Sequence, residues 1–153
     1  MGLPNVSADL VWEIVRSQNA YLVKSKTAGK VQFSRDPLNL TNKHSRKYAG
    51  FVNDKAIGIT GGEKGGVQVV SKKAGSANAP AKGSHKVTFG GAKSSRKIYK
   101  SVANQTAKSG YRGDLREAAV ARASAIRRSQ RPVKPEPETK LRGSKAKKAA
   151  DKE

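Results

Sequence analysis

Apolar residues recur in two rhythms along this chain, a helical one near both ends and an alternating one between them. After Pro4, Ser7 can cap a short helix in which Leu10, Val11, Ile14 and Val15 form two i, i+4 pairs. Trp12 on the same segment reads as a core or rim aromatic rather than a platform for a base. Short β-type runs follow at 20–24, 31–33, 50–52, 56–60 and 67–71, with a further one at 86–89; Val31 and Phe33 alternate, as do Ile57 and Ile59. Asn53, Asp54 and Lys55 close one predicted hairpin and the glycine-rich 61–66 the next, so 50–71 is expected as an antiparallel meander. Beyond Gly90 and Gly91 the rhythm turns helical again. Ser94 or Ser95 can cap a helix with Ile98, Val102 and Thr106 on one face and Tyr99 and Ala103 beside them, and Gly110 stops it.

The last helical stretch, 111–132, reads YRGDLREAAVARASAIRRSQRP. Asp114 is a good N-cap, Glu117 three residues on completes the reciprocal cap, and Pro132 forbids continuation, which predicts a helix over 115–130. Leu115, Ala119, Ala123 and Ile126 then share one narrow arc, with Arg116, Arg127 and Arg131 on its flank and Arg128 further round. The alanines keep the packing side thin. The guanidinium forks on the other side match phosphate oxygens bidentately. A solvated surface helix and a phosphate-facing helix both fit this pattern, and the rest of the chain has to separate them.

Composition decides which partner to look for. Only 35% of the 153 residues are hydrophobic and 5% aromatic, so the core is small, while 32 Lys and Arg against 11 Asp and Glu give a net charge of +21. Such self-repulsion opposes compactness unless a polyanion neutralises it. No run approaches the roughly 18 apolar residues of a spanning helix, and the opening residues lack the basic start and long apolar run of a secretory signal. Gly2 is not a myristoylation start, because Val6 stands where Ser or Thr is wanted. Zero cysteines exclude disulfides and thiolate metal sites and suit a reducing compartment. No membrane partner is expected; nucleic acid is.

The charge is spread rather than focused. Residues 21–111 carry 18 basic and 3 acidic side chains, and 112–131 carry 6 and 2. Two polar basic insertions, 34–48 and 71–85, contain too few apolar residues to fold alone and are expected to be mobile in isolation. The tail, 132–153, has Pro-Glu repeats and a Lys-Ala end, which suits a disordered segment or one ordered by RNA. This divides the chain into a single α+β RNA-binding body over 1–131 and an extended Pro/Lys-rich tail. The body is expected as a small antiparallel sheet of four or five strands with an N-terminal helix and two C-terminal helices.

Catalytic chemistry finds no support. His44 and His85 lie in basic loops without Cys, Asp or Glu at ligand spacing, and the carboxylates are scattered singly, so no enzyme, metal site, cofactor or small-molecule substrate is expected. Gly62 to Gly65 fits the GXXG pattern that clamps nucleotides between two helices, but here it joins two strands and reads as a hairpin turn. Dispersed cations argue against one groove-reading helix and for a small body embedded in folded RNA. The candidate RNA contacts are Lys43, Arg46, Lys47, Lys72, Lys73, Arg96, Lys97, Lys100, Arg112, Arg116, Arg122, Arg127, Arg128 and Arg131. Tyr48, Tyr111 and Phe51, each near basic residues, fit stacking on unpaired bases and fit core packing equally well.

The wording of the sequence adds a resemblance. The stretch YRGDLREAAVARASAIRRSQRPV and the opening SADLVWEIVRSQNAYLVK closely resemble the corresponding segments of the eukaryotic large-subunit ribosomal proteins conventionally numbered twenty-eight, the L28e family. Between them the order agrees: an Asn-Leu segment at 37–41, a basic Arg-Lys-Tyr with a glycine at 45–50, and a Gly-Gly-Val-Gln-Val-Val strand. The resemblance spans 7–133. It implies a structural protein of the cytosolic large ribosomal subunit, assembled in the nucleolus, with ribosomal RNA and neighbouring ribosomal proteins as partners and no catalysis. An assembly factor that shares the family's fold resembles a longer chain, cysteine-rich at its start, which the absence of cysteine here speaks against. A large-subunit assembly factor and a DNA-architectural protein are the rival readings. The family offers no short signature for nucleotide readers, so the candidate contacts stand on charge and placement.

Overall fold

Ile57 and Ile59, two residues apart on one strand, stand at the centre of the fold: both are essentially inaccessible to solvent. The computed structural model describes residues 5–144 except 28, 64, 74, 77, 78, 80, 109, 138, 139 and 141. Its elements are helix α1 (Ala8–Val15), strands β1 (Leu22–Lys24), β2 (Gln32–Ser34), β3 (Ile57–Gly61), β4 (Val67–Lys72) and β5 (Ser84–Phe89), helix α2 (Ser95–Ala103), and helix α3 (Arg116–Ser129). The α+β arrangement matches the sequence reading. The strands, however, divide between two sheets: β1 pairs with β2, and β3, β4 and β5 form a separate antiparallel meander in that order.

Period-two alternation explains the larger sheet. Ile57 and Ile59 on β3 face the same side as Val67 and Val69 on β4, and Ile98 and Val102 of α2, Leu115 just before α3, and Ala119 and Ala123 of α3 join them in one core. Burying each of the large aliphatics contributes about 2–3 kcal/mol. The alanines of α3 let the helix lie close, as their spacing predicts. The glycine-rich turn also forms as predicted, joining Gly61 to Val67 in register. Its Gly66 has φ +87°, and it is tied to α3 by a reciprocal amide pair: Gln130 Nε2 donates to the Gly66 carbonyl at 2.6 Å and the Gly66 N–H donates to Gln130 Oε1 at 2.9 Å.

Several expectations are corrected. Residues 50–52 are not a strand; Val52 N–H and Asn53 N–H both donate to the Ala49 carbonyl, a helical turn, so the meander begins at β3. In α1, Ser7 does cap, with the Leu10 N–H donating to its hydroxyl at 3.1 Å. The helix, though, buries Trp12 and packs Ala8, Val11 and Val15 against Ala49, Val52 and Phe51, while Leu10 and Ile14 face solvent at 53% and 68% exposure. With apolar residues on most of its eight positions, the large indole chose the face. Asp114 and Glu117 do not form the predicted cap. A single 3-10 turn, Gly113–Leu115, precedes α3, and Arg112 takes the Asp114 carboxylate instead.

The first insertion, 34–48, is held within the fold by its own polar side chains. Asp36 is buried, and its carboxylate accepts the N–H groups of Leu38 and Phe51, each at 2.9 Å. Asn39 is buried too; it accepts from Thr41 N–H and donates to the Lys43 carbonyl, and Leu40 enters the main core. The chain then returns beside β2 through a Phe33–Lys43 bridge. Asn and Asp side chains here replace the apolar residues that the segment lacks. Of the second insertion, 71–72 belong to β4 and 84–85 to β5, while 74, 77, 78 and 80 lie outside the described residues, as do 138, 139, 141 and 145–153 of the tail.

α2 runs on into a π-helical turn, Asn104–Lys108, in which Thr106 is buried and donates to the Val102 carbonyl at 2.7 Å. Gly110, at φ +63°, ends it as predicted.

Candidate nucleic-acid interface

The fourteen candidate cations separate into two groups once their hydrogen bonds are traced. Five are engaged inside the protein. Arg46 on the first insertion pairs with Asp9 of α1 at 2.8 Å and also bonds the Asn53 amide, which fastens α1 to the body. Lys72, at the end of β4, donates to the carbonyls of Phe51 (3.3 Å) and Asn53 (2.8 Å). Burial pulls its pKa below the ordinary lysine value, and Asp36 and Asp54 partly oppose that. Arg112 makes a fork to both Asp114 oxygens at 2.8 and 2.7 Å and reaches the carbonyls of Lys55 (2.8 Å) and Lys47 (3.2 Å). Arg122 reaches the Leu40 carbonyl at 3.4 Å. Arg127, turned toward the end of the sheet, donates to the Gly91 carbonyl at 3.0 Å and contacts Ser95 and Gln130.

The hydrogen bond from Arg112 is the main cause of the lowered pKa of Asp114, and the same bond raises that of Arg112. An arginine so held contributes its charge to the local field, but its donors are already in use.

The other nine, Lys43, Lys47, Lys73, Arg96, Lys97, Lys100, Arg116, Arg128 and Arg131, are exposed, and none has an acidic partner among the described residues. Six of them lie on α2, on α3 or just beyond its end, Lys43 and Lys47 lie on the first insertion and Lys73 just after β4, so they belong to several elements rather than to one helix. Arg96 and Lys97 are neighbours in the first turn of α2 and Lys100 lies one turn on. Arg116, Arg128 and Arg131 belong to α3 and its end. Further exposed lysines, among them Lys24 and Lys86 on strands, join the same field; their placement follows from the outward side of each strand.

The aromatic candidates turn inward. Tyr48 and Tyr111 pack on the main core and Phe51 on the smaller one. The Tyr111 hydroxyl accepts the Ala56 N–H at 3.1 Å and donates to the Lys72 carbonyl at 2.8 Å; burial raises its pKa, against the pull of those bonds. Tyr99, which sequence reasoning did not count among the stacking candidates, packs on the main core as well but also lines an open groove between α2 and α3 with Lys100 and Arg116. Its position between Lys97 and Lys100 was the available signal.

Among the described residues, no group of three His, Cys, Asp or Glu side chains could hold a metal ion, and no helix is long and apolar enough to cross a membrane.

Residues 10–129 match the Ribosomal L28e protein family. The chain is 44% identical over 131 residues to the large ribosomal subunit protein eL28 of Schizosaccharomyces pombe, covering 85% of this chain and 97% of that one. The protein of the same name from Dictyostelium discoideum is 32% identical over 131 residues, covering 84% and 92% of the two chains. That from Caenorhabditis elegans is 38% identical over 68 residues, 44% of this chain and 52% of the other.

Proposed function

The chain belongs to the Ribosomal L28e protein family, and from that membership we propose that it is a structural constituent of the cytosolic large ribosomal subunit, held in place by ribosomal RNA. It is not an enzyme; the family is a structural one. The relatives carry the name of a large-subunit protein, and the same place is assigned to this chain. Nucleolar assembly and contacts with neighbouring ribosomal proteins belong to the same reading.

One observation carries the finer part: nine exposed cations without acidic partners among the described residues are spread over the first insertion, the residue after β4, α2, α3 and the end of α3. Such an arrangement suits phosphates approaching from several directions, with counterion release supplying much of the affinity. The affinity of the isolated protein for structured RNA should fall steeply with salt, with a log–log slope that counts several phosphates. A flat dependence would refute phosphate-driven binding. Sedimentation separates the rivals: this reading requires the protein on large subunits and polysomes, an assembly factor would stop at precursor particles, and a DNA-architectural protein would be absent from all of them.

A further inference from the structure

An open groove of about 930 Å³ runs between α2 and α3. The half-buried Tyr99, Ala103 and Val120 line it together with the exposed Lys100, Arg116 and Glu117. Of these, Tyr99 also packs on the main core. Among the described residues the Glu117 carboxylate has no ion-pair partner, in a chain with only 11 carboxylates.

We propose that this groove holds a single unpaired guanine of the RNA, stacked on Tyr99, with its Watson–Crick edge on Glu117 and its flanking phosphates on Lys100 and Arg116. The proposal rests on the RNA-binding reading above. An aromatic ring beside apolar side chains suits a base of any kind, because every base has a π face. The two cations beside it suit the backbone on either side. Glu117 narrows the choice: facing phosphate it would repel, but facing a base edge it accepts hydrogen bonds. Guanine presents two adjacent donors, N1–H and the N2 amino group, which match the two oxygens of one carboxylate; the other bases present at most one donor group on that edge. In a duplex that edge is already used, so the base must be bulged, looped or flipped.

The test uses the full chain and RNA hairpins that differ only in one bulged nucleotide, followed by fluorescence anisotropy at fixed salt. The bulged-guanosine hairpin should bind about tenfold more tightly than the fully paired one, as stacking plus a carboxylate pair would give. The adenosine, cytidine and uridine bulges should gain less. Glu117→Gln, at an exposed position, should remove most of the guanosine advantage, and Tyr99→Leu should remove the preference for any bulge. The paired hairpin offers no unpaired base and reads the phosphate contacts alone; Glu117→Gln, which removes a negative charge, should not weaken its binding. Equal native affinity for all five hairpins would overturn the guanine site while leaving phosphate binding intact; failure of the native protein to bind even the paired hairpin would overturn both. A photoreactive residue at exposed Ala121, on the groove, should cross-link to RNA in assembled large subunits. Cross-linking to protein would instead assign the groove to a neighbouring subunit protein and overturn the proposal.

Discussion

Arg112 and Arg116 lie four residues apart, carry the same charge, and should fail in opposite ways when replaced by alanine. Arg112 is 18% exposed at its side chain, and its guanidinium holds Asp114 and the carbonyls of Lys55 and Lys47. Asp114 is 45% exposed and can return to water when the arginine is removed, so the ion pair itself contributes little. The two carbonyl bonds come from a charged donor, each worth about 1.5 kcal/mol, which puts the loss near 2–3 kcal/mol. For a body of this size that lowers Tm by roughly 6–12 °C. Arg116 has no internal partner among the described residues and stands exposed on α3. Arg and Ala are both good helix formers, so Arg116→Ala should leave Tm within about 2 °C. Its effect belongs on the salt dependence of RNA affinity, where one lost phosphate contact reduces the log–log slope by about 0.7–0.9. Thermal melting followed by circular dichroism and RNA titration over a series of salt concentrations measures both. If Arg112→Ala melted like the native protein yet lost a phosphate's share of slope, sorting the cations by their internal hydrogen bonds would be wrong.

Two further perturbations probe the scaffold. A methyl at Gly58 would press into the Pro37 carbonyl oxygen and stand 3.1 Å from Leu38 Cα; Gly58→Ala should cost about 1–3 kcal/mol, and an unchanged Tm would mean that the 37–38 segment does not lie on β3. Asp114 has a folded pKa below its ordinary 3.8. The stability it adds is therefore complete above that value and disappears as pH falls through the lowered one. Asp114→Asn should flatten the acid limb of a Tm-against-pH curve, and an identical limb in the variant would show that Arg112 does not hold the carboxylate.

Long-period signals were legible in the sequence. The arc Leu115, Ala119, Ala123 and Ile126 packs on the core, Ile98, Val102 and Thr106 are buried together, and the 61–66 turn closes its hairpin. Polar construction was not. Asp36 and Asn39 organise the first insertion by accepting backbone N–H groups, and hydropathy reads such residues as solvent-loving whether or not they are enclosed. Helix α1 failed for a different reason: on eight residues with so many apolar side chains, several faces are equally good, and only the site waiting for Trp12 decides. At the interface, charge could be counted but not allocated. Arg127 and Arg128 are neighbours in sequence, yet one bonds the Gly91 carbonyl and the other is exposed; that difference depends on where Gly91 comes to rest, which no local pattern encodes.

The amide pair between Gln130 and Gly66 sets a tether point. Because α3 is moored there, Arg128 in its last turn and Arg131 just beyond it keep a set distance from that corner of the sheet. A partner that meets these two charges therefore meets the hairpin as well, and cutting the mooring would change the spacing between them without altering a single charge.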